Sequence, residues 1–535
     1  MRFYRLLNLG LAAFLACGIA PPAFAAGTSV GTPFRDIASS FAKADIAALY
    51  AKGIVGGTSA DTFSPKRGVT RAEFAALLIR LFGLEPVASR ISSFIDVPLG
   101  AWYYGSTEAA SQLGIVNGTG AGAFRPAASL TREQAAVLLA RALKLEGYGG
   151  GESSSYEDAD DISVWAVASA QVATEAGLIE GDSEGHFRPQ DALTREETAA
   201  LLNRIVRNDE WADGLEREPE MGLQLGWQYL QTTAEFIASV KRSTVNTLVP
   251  RVFFLESASA VSDSTDETLV RWADESGKQV WGMVGNRSDA ELTHRLLEDE
   301  SNRQDVIDQL VAYVDHYGMD GLNLDFENVL PIDRFGLTAF VEELACRLHR
   351  IGAVLSVNVS PDLGSDWTAA FDYAALGEAA DYIVLMGYDE HWGGSPVAGS
   401  VASLPWVASG LDTLHEAVPA SRTILALPTY TRKWTLAPSV SSTILSIREQ
   451  AAAVESLGAG SCSWDETIGQ YVYTFANSGT TYKIWAEDSR SLALKTAEAA
   501  KRGMAGLAYW YIGGETPDIW PAVRNAAKYA SFASG

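Results

Sequence analysis

Cysteine is scarce in this chain, with 3 among 535 residues. Only Cys346 and Cys462 follow the N-terminal apolar segment, so a disulfide framework is excluded as the basis of the fold. Apolar residues at helical spacing around Cys346 predict a thiol near a core. Basic residues are also few, 41 against 66 acidic ones, which gives a net charge of −25. Because such a chain is repelled by phosphates and gains no attraction to anionic lipid, we expect no nucleic-acid partner.

Several enzyme signatures are missing as well. The sequence contains no GxSxG motif, no Walker loop, no HExxH motif and no CxxC pair. Asp389, Glu390 and His391 are adjacent, but three consecutive residues at a strand end cannot all point at one ion. We therefore expect neither a metal nor another cofactor. Long apolar runs are absent beyond the N-terminus, so no later segment is expected to cross a bilayer.

The N-terminus has the pattern of a secretory signal. Two arginines precede an apolar run over residues 6–20, and Ala-Phe-Ala occupies residues 23–25. We predict a signal peptide over residues 1–25, a secreted protein and no membrane contact after cleavage. An uncleaved anchor is an alternative, although the run is short for a membrane span. A lipoprotein modified at Cys17 is another, although Phe14 stands where such signals usually have leucine.

Three similar units occupy the first two hundred residues. Thr70, Thr131 and Thr194 recur 61 and 63 residues apart, each within one of the segments DTFSPKRGVTRAEFAALLIRLFGL, GAFRPAASLTREQAAVLLARALKL and GHFRPQDALTREETAALLNRIVR. Each threonine is followed three residues later by Glu or Gln and then by an apolar stripe, which predicts an N-capped amphipathic helix. A second helix is predicted earlier in each unit. One helix pair buries little surface, so the units are expected to pack together.

These units resemble surface-layer-homology domains over residues 28–90, 91–150 and 151–207. The resemblance implies an all-α bundle that binds secondary cell-wall polysaccharide. A guanidinium suits a carboxylate on that polymer, and the matching residues are Arg71, Arg132 and Arg195. Trp102 and Trp165 match the family's aromatic position, where the first unit has Phe41 nearby. The alternative is structural: each arginine pairs with a neighbouring glutamate and each tryptophan is core.

After a short polar linker at residues 208–220, residues 221–535 alternate between β-rich runs and helical patterns. Eight such runs over some 320 residues predict an α/β fold, a (β/α)₈ barrel, whose chemistry lies at the C-terminal ends of its strands. A small α+β insertion is expected between strands seven and eight. The runs are GLQLGW, TLVPRVFFL, QVWGMV, GLNLDF, AVLSVNV, YIVLM, TILALP and AGLAYW.

The fourth run, DGLNLDFENV, carries three polar residues on one face. Because side chains alternate along a strand, Asn323, Asp325 and Glu327 point the same way, with Asp325 and Glu327 about 6 to 7 Å apart at the backbone. Burial of both carboxylates would keep a proton on the less solvated one. A protonated acid beside a fixed anion fits glycoside hydrolysis. The alternative is an exposed loop after a short strand.

The same run resembles the D-x-x-D-x-D-x-E signature of family 18 glycoside hydrolases. Asp320, Asp325 and Glu327 fit, while Asn323 replaces the middle aspartate. YIVLMGYDEHW resembles the family's sixth strand and GLAYW its eighth. The residues that these matches imply as sugar contacts are Met386, Tyr388, Asp389 and Trp510. The roles of Trp227 and Tyr430, groove or core, are left open. The overall pattern is most similar to the cell-wall and spore-cortex lytic branch of N-acetylglucosaminidases.

The resemblance implies substrate-assisted, retaining catalysis. Glu327 would act as general acid and base, Asp325 would stabilise the oxazolinium ion, Tyr388 would bind the acetamide oxygen, and the Asn323 amide would hold Asp325 as an anion. We expect a secreted, wall-anchored glycosidase that cleaves GlcNAc-containing glycan such as peptidoglycan. The alternatives are a chitinase and a non-catalytic, glycan-binding wall or spore-surface protein.

Overall fold

The computed structural model of the protein describes residues 31–145, 156–362, 364–457 and 461–532. The predicted signal peptide and the predicted boundary between the second and third units lie outside these ranges. Within them, no helix combines the length and apolar character that a membrane span needs.

Each N-terminal unit folds as a pair of helices. Thr70, Thr131 and Thr194 cap the second helix of their units, and each hydroxyl oxygen accepts a hydrogen bond from a backbone N–H three residues on. The helices are α1 (Lys43–Ala51), α2 (Arg71–Leu81), α3 (Tyr104–Gln112), α4 (Arg132–Ala142), α5 (Val167–Glu175) and α6 (Arg195–Arg207), with a 3₁₀ turn at Ala159–Asp161.

A ring of backbone hydrogen bonds joins the three units around a pseudo-threefold axis. The N–H of Leu130 donates to Val69, that of Leu193 to Leu130, and that of Val69 to Leu193, at 2.9–3.0 Å. The three residues are fully buried. The bundle is therefore one body with a shared core.

The predicted polar linker is wrong in its middle part. Residues 209–216 form a helix, α7 (Asp209–Glu216), capped by the side chain of Asn208. Trp211 and Leu215 are buried against the core of the bundle. Two apolar residues four apart on one helical face explain why this segment packs.

The second half of the described chain is a closed parallel barrel, as predicted. Its eight parallel strands are β1 (Leu223–Gln228), β2 (Thr247–Ser257), β4 (Gln279–Gly285), β5 (Gly321–Asp325), β6 (Val354–Val359), β7 (Tyr382–Met386), β8 (Thr423–Pro428) and β14 (Gly506–Trp510), with β3 (Ala260–Asp263) antiparallel to β2. Pairing of β1 with both β14 and β2 closes the ring.

Helices surround the barrel, and the predicted insertion is a separate antiparallel sheet. The helices are α8 (Thr233–Val240), α9 (Glu267–Glu275), α10 (Ala290–Glu298), α11 (Glu300–Tyr317), α12 (Arg334–Arg350), α13 (Tyr373–Ala379), α14 (Leu404–His415), α16 (Ser489–Lys501) and α17 (Ile519–Ser531), with 3₁₀ turns at Pro331–Asp333 and Ala420–Arg422. Between β8 and β14 lie β9 (Tyr430–Thr435), β10 (Ser441–Ser446), α15 (Ile447–Val454), β11 (Cys462–Asp465), β12 (Gln470–Asn477) and β13 (Thr480–Ala486).

The last helix ties the barrel to the bundle. Ala522, Ala526 and Tyr529 on α17 belong to the apolar core of the bundle. The guanidinium of Arg524 donates to both carboxylate oxygens of Glu85, at 2.5 and 2.8 Å. The two halves of the chain are thus packed together by residues more than four hundred positions apart.

Both described cysteines are free thiols. Cys346 is exposed on α12 rather than near a core. The buried face of α12 is formed by its neighbours Leu344, Ala345 and Leu348, which turn Cys346 toward solvent.

Candidate active site at the barrel mouth

Asp325 is the last residue of β5 and points into the barrel mouth. Its Oδ1 accepts a hydrogen bond of 2.8 Å from Nδ2 of Asn358 on the adjacent strand β6. Burial raises the pKa of Asp325, while the Asn358 bond and the charge of Arg251 act against that rise. The carboxylate therefore lies in a polar pocket with few protein donors.

Asn323 lies one layer deeper and is fully buried. Its Oδ1 accepts from the indole N–H of Trp227 at 3.0 Å, and its Nδ2 donates to Ser356 Oγ at 2.9 Å and Asn358 Oδ1 at 2.8 Å. The expectation that Asn323 holds Asp325 directly is wrong. Asn358 stands between them, because β6 places its own amide at the level of both residues.

Glu327 lies two residues beyond β5, where a neighbouring loop fixes its backbone. Asn286 receives the Glu327 N–H at 3.0 Å and donates to the Glu327 carbonyl at 2.7 Å. Ser288 Oγ donates weakly to the carboxylate at 3.4 Å. Burial, followed by the charge of Asp325, raises the pKa of Glu327 to about 7. The group therefore holds a proton near neutral pH and is poised to donate it.

Tyr388 and Asp389, which follow the end of β7, add a phenol and a further carboxylate to the mouth. Burial, together with the charges of Asp325 and Glu327, keeps the pKa of Tyr388 well above its usual value. Met386, two residues earlier, is buried. Asp389 accepts a hydrogen bond of 2.6 Å from the hydroxyl of the buried Tyr430. Asp389 is thereby fixed at the rim, where its charge also acts on Glu327.

Aromatic rings form the other side of the mouth. Trp510, at the end of β14, lies 5.7 Å from Trp227 and 5.4 Å from Tyr229 between ring centroids. Trp227 is fully buried and bonded to Asn323, so it belongs to the core rather than to a groove. Trp510 is partly exposed and presents a ring surface of the kind on which sugars stack.

The structure does not bring Asp320 to this site. Asp320 precedes β5 and lies at the opposite end of the strand from Asp325, about 17 Å away at 3.3 Å per residue. Its carboxylate accepts from the N–H of Val280 at 2.9 Å. The expected sugar contact is therefore wrong, and Asp320 connects the starts of β4 and β5.

The adjacent trio at residues 389–391 divides among three partners. Asp389 bonds to Tyr430, Glu390 accepts from both the N–H and the hydroxyl of Ser403, and the His391 ring bonds to a backbone carbonyl. The three groups do not converge on one point.

In the bundle, each predicted wall-binding arginine reaches into another unit. Arg195 Nε donates to the carbonyl of Phe63 at 2.8 Å and Nη2 to that of Gly56 at 2.6 Å, while the guanidinium lies 4.4 Å from the Phe63 ring. Arg71 and Arg132 repeat this arrangement around the threefold axis, with Phe124 and Phe187 as the ring partners. The Nε and Nη2 donors of each guanidinium thus hold the units together.

The predicted aromatic positions are exposed rather than core. Trp102 and Trp165 are 65% and 58% exposed, and Phe41, at the same place in the first unit, is 67% exposed. Trp102 lines a groove of about 530 Å³ with Arg195 and Arg80. Phe41 lines the related groove of about 430 Å³ with Arg132 and Arg204.

Three residues near the barrel mouth were not singled out from the sequence. Asn358 interrupts the apolar run of β6, and Arg251 interrupts that of β2, so a polar residue inside a buried strand was the available signal. Asn286 lies in the loop that follows β4, and no sequence pattern marked its contact with Glu327.

Two known families match separate segments of the chain. Residues 251–515 match the profile of glycosyl hydrolases family 18, and residues 33–75, 93–136 and 155–199 match the S-layer homology domain. Both predicted resemblances are confirmed.

The relatives cover different shares of the chain. The uncharacterized glycosylase YvbX of Bacillus subtilis is 25% identical over 310 residues, which are 55% of this chain and 89% of that protein. The cortical fragment-lytic enzyme of Bacillus subtilis is 26% identical over 43% of this chain, which spans only 55% of the relative's length. The surface-layer 125 kDa protein of Lysinibacillus sphaericus is 32% identical over 37% of this chain and 16% of its own length.

Solved structures share the barrel fold. A chitinase from Chromobacterium violaceum superimposes with a TM-score of 0.53 at 24% identity, over 57% of this chain and 98% of its own. The Bacillus cereus spore cortex-lytic enzyme SleL also gives a TM-score of 0.53, at 20% identity, over 58% of this chain and 75% of its own.

Proposed function

Because this chain belongs to glycosyl hydrolases family 18 and carries three S-layer homology domains ahead of the matched segment, we propose that it is a secreted, wall-bound glycosidase that cleaves GlcNAc-containing glycan, with peptidoglycan as its substrate. The observation that carries the proposal is the carboxyl pair at the end of β5. Glu327 retains a proton to about pH 7 beside Asp325, in a mouth that also holds Tyr388 and Trp510.

The first step uses the proton on Glu327. Glu327 donates it to the glycosidic oxygen, and the bond from that oxygen to C1 breaks. The acetamido oxygen of the same sugar forms a bond to C1, which gives an oxazolinium ion. Asp325 balances the positive charge on the acetamido nitrogen, and the Tyr388 hydroxyl donates to the acetamido oxygen.

The second step returns the proton. The Glu327 carboxylate takes a proton from water as the water oxygen attacks C1 and the ring bond to the acetamido oxygen breaks. Two displacements at C1 retain its configuration. Asn323 takes part through Asn358, which it orients toward Asp325.

The bundle provides attachment to the wall. We assign secondary cell-wall polysaccharide to the grooves between units, where exposed aromatic rings stand next to guanidinium groups. The aromatic faces suit sugar rings, and the guanidinium edges left by the inter-unit bonds suit carboxylates. Similarity to a surface-layer protein supports this placement.

Product analysis tests the catalytic assignment. Purified peptidoglycan and chitin are digested separately, and mass spectrometry identifies the sugar at each new reducing end. We expect peptidoglycan fragments that end in GlcNAc. NMR of the products should show that the configuration at C1 is retained. Products from chitin alone would identify a chitinase instead. Glycan binding without any product would identify a non-catalytic binding protein.

A further inference from the structure

Arg251 is a cation at the barrel mouth that the proposed reaction does not use. It projects from β2, two residues after Val249, which lies in the core inside the barrel. The guanidinium lies among three aromatic rings, 5.0 Å from Tyr229, 5.3 Å from Phe254 and 5.7 Å from Trp510. Its charge acts on both Asp325 and Glu327. Arg251 therefore borders the place where the sugar chain is cut.

The donors of this guanidinium are free. Across the ranges that the structure describes, Arg251 forms no ion pair within 4 Å, and its buried Nε has no hydrogen-bond partner. Other arginines of the barrel, such as Arg334 and Arg502, are paired with carboxylates. Arg251 is partly exposed at the mouth, so its unpaired N–H donors are available to a group that arrives with the ligand.

The same side chain lines a cavity of about 510 Å³ beside the mouth. A further lining atom, Gln231 Oε1, is buried without a hydrogen-bond partner, and the Thr265 hydroxyl lies in the same lining. The two acids of the lining accept hydrogen bonds from neighbouring hydroxyls and not from Arg251: Glu235 accepts from Thr232, and Asp266 accepts from Thr233 and Thr268. The cavity thus offers a cation, an acceptor and a hydroxyl next to aromatic surface.

A carboxylate fits this set better than a neutral group. A guanidinium binds a carboxylate through two parallel N–H···O bonds, and aromatic stacking leaves that fork edge available. Gln231 and Thr265 suit the hydroxyls of an attached sugar. A glycan without charge would offer Arg251 only neutral hydrogen-bond acceptors.

We propose that Arg251 binds a carboxylate carried by the glycan next to the sugar whose bond is cut, so that the enzyme selects acidic wall glycan over neutral GlcNAc polymers. This specificity rests on the proposed glycosidase function. The carboxylate belongs either to the lactyl group of a muramic unit or to its stem peptide, and the chemistry at Arg251 is the same for both.

The test is a ratio of activities on matched substrates. Peptide-free peptidoglycan strands, which expose lactyl carboxylates, are compared with the same strands after carbodiimide amidation, which removes the charge. The parent is expected to lose about 10- to 100-fold in kcat/KM on amidation, mainly through KM, as for a hydrogen-bonded charged pair. In Arg251→Gln the ratio should fall to near one, and Arg251→Lys should restore part of it.

Controls separate this role from others. Arg287 is exposed, and its guanidinium lies 4.3 Å from the centre of the Phe254 ring. It provides the matched variant Arg287→Gln, which should keep the parental ratio. Because the Arg251 charge also acts on Glu327 and Asp325, each rate is taken at its maximum over about pH 4 to 9. The comparison of acidic with amidated glycan is repeated on strands that keep their stem peptides. If only these strands show a difference in kcat/KM, the carboxylate belongs to the stem peptide.

Two outcomes would overturn the proposal. One is a parent that does not distinguish acidic from amidated glycan on any of these strands, and the other is an Arg251→Gln variant with the parental ratio. Failure of the glycosidase function is recognised separately, by the absence of cleavage of every substrate. In that event, calorimetric affinities of parent and Arg251→Gln for the acidic and amidated strands still test the carboxylate site.

Discussion

The bundle and the barrel use charged side chains in opposite ways. In the bundle, Arg195 and its two counterparts donate to backbone carbonyls of another unit, and their charge is held within the fold. In the barrel mouth, Glu327 and Arg251 have few or no such partners. The repeated arginines of the bundle therefore connect its units. In the barrel, the charged side chains with few protein partners are the ones that remain available to a substrate.

Removing the acid at the barrel mouth should produce the largest effect. Glu327→Gln is expected to lower kcat by about 10²- to 10⁴-fold, because an amide cannot supply the proton. Substrate should still bind, since the change is isosteric. Turnover of a soluble GlcNAc glycoside and affinity by calorimetry measure the two effects. Glu342→Gln, on the exposed face of α12, is the control, and equal turnover of Glu327→Gln and parent would remove Glu327 from the mechanism.

Removing a cation from the bundle should instead affect folding. Arg195→Ala leaves the carbonyls of Phe63 and Gly56 without their charged donor, and we expect a loss of roughly 2 to 4 kcal/mol in the free energy of unfolding. Chemical denaturation of the full chain measures it. Arg188→Ala removes a surface arginine paired with Asp182 and should cost less than about 1 kcal/mol. Similar losses for both variants would contradict the connecting role of Arg195.

Removing the exposed aromatic rings of the bundle should weaken wall binding and leave stability almost unchanged, the opposite of removing its arginines. Replacing Phe41, Trp102 and Trp165 together by alanine should reduce the fraction of full-length protein that pellets with purified cell wall by about 10-fold or more. The free energy of unfolding should change by less than about 0.5 kcal/mol at each position. The full chain is used because α17 completes the core of the bundle. Unchanged pelleting would place wall binding elsewhere.

The pH dependence of the barrel should follow Glu327. With its pKa raised from 4.5 to about 7, the proton donor is present below about pH 7 and is lost above it, so kcat/KM should fall as the pH rises through that value. Ionising the buried group is harder in the folded than in the unfolded state. The free energy of unfolding should therefore also decrease between about pH 4.5 and 7.

Stability curves check the second effect. Parent and Glu327→Gln are unfolded in denaturant at a series of pH values, and the decrease should be larger in the parent. The variant keeps the part that comes from Glu108 and Asp488, because burial also raises the pKa of each of these carboxyls to about 7. A decrease of equal size in both proteins would assign the effect to other groups.

The smallest expected effect distinguishes the two asparagines behind Asp325. Asn358→Asp places a carboxyl within hydrogen-bond reach of Asp325, and sharing of a proton should raise one apparent pKa of the pair by about one unit or more. Asn323→Asp lies one amide further away and should shift the pH–rate profile less. The reverse order would show that Asn323 is coupled to Asp325 more directly than Asn358 is.

The sequence was most informative where the physical signal is local. Alternation along GLNLDFEN placed Asp325 and Glu327 at one strand end, because the period of a strand fixes which side chains share a face. The threonines at 70, 131 and 194 fixed three helix starts, since an N-cap involves residues only three apart. These local rules also gave eight strands and an insertion.

Residues that depend on distant partners were missed or misread. Asp320 matched a motif by spacing, yet it lies at the opposite end of β5, because a strand separates its first residue from its last by its whole length. Asn323 was assigned to Asp325 within one strand, whereas Asn358 from the neighbouring strand occupies the space between them.

By itself, then, the amino-acid sequence determined the repeat, the barrel and the position of the acid pair, because periodicity and capping act over a few residues. Only the tertiary structure decided how the charges are used. Packing brought Arg195 to carbonyls more than 130 positions away, set Arg251 among three aromatic rings, and joined Arg524 to Glu85 across 439 positions. A side chain's free donors depend on what folds against it, and that is a property of the assembled chain.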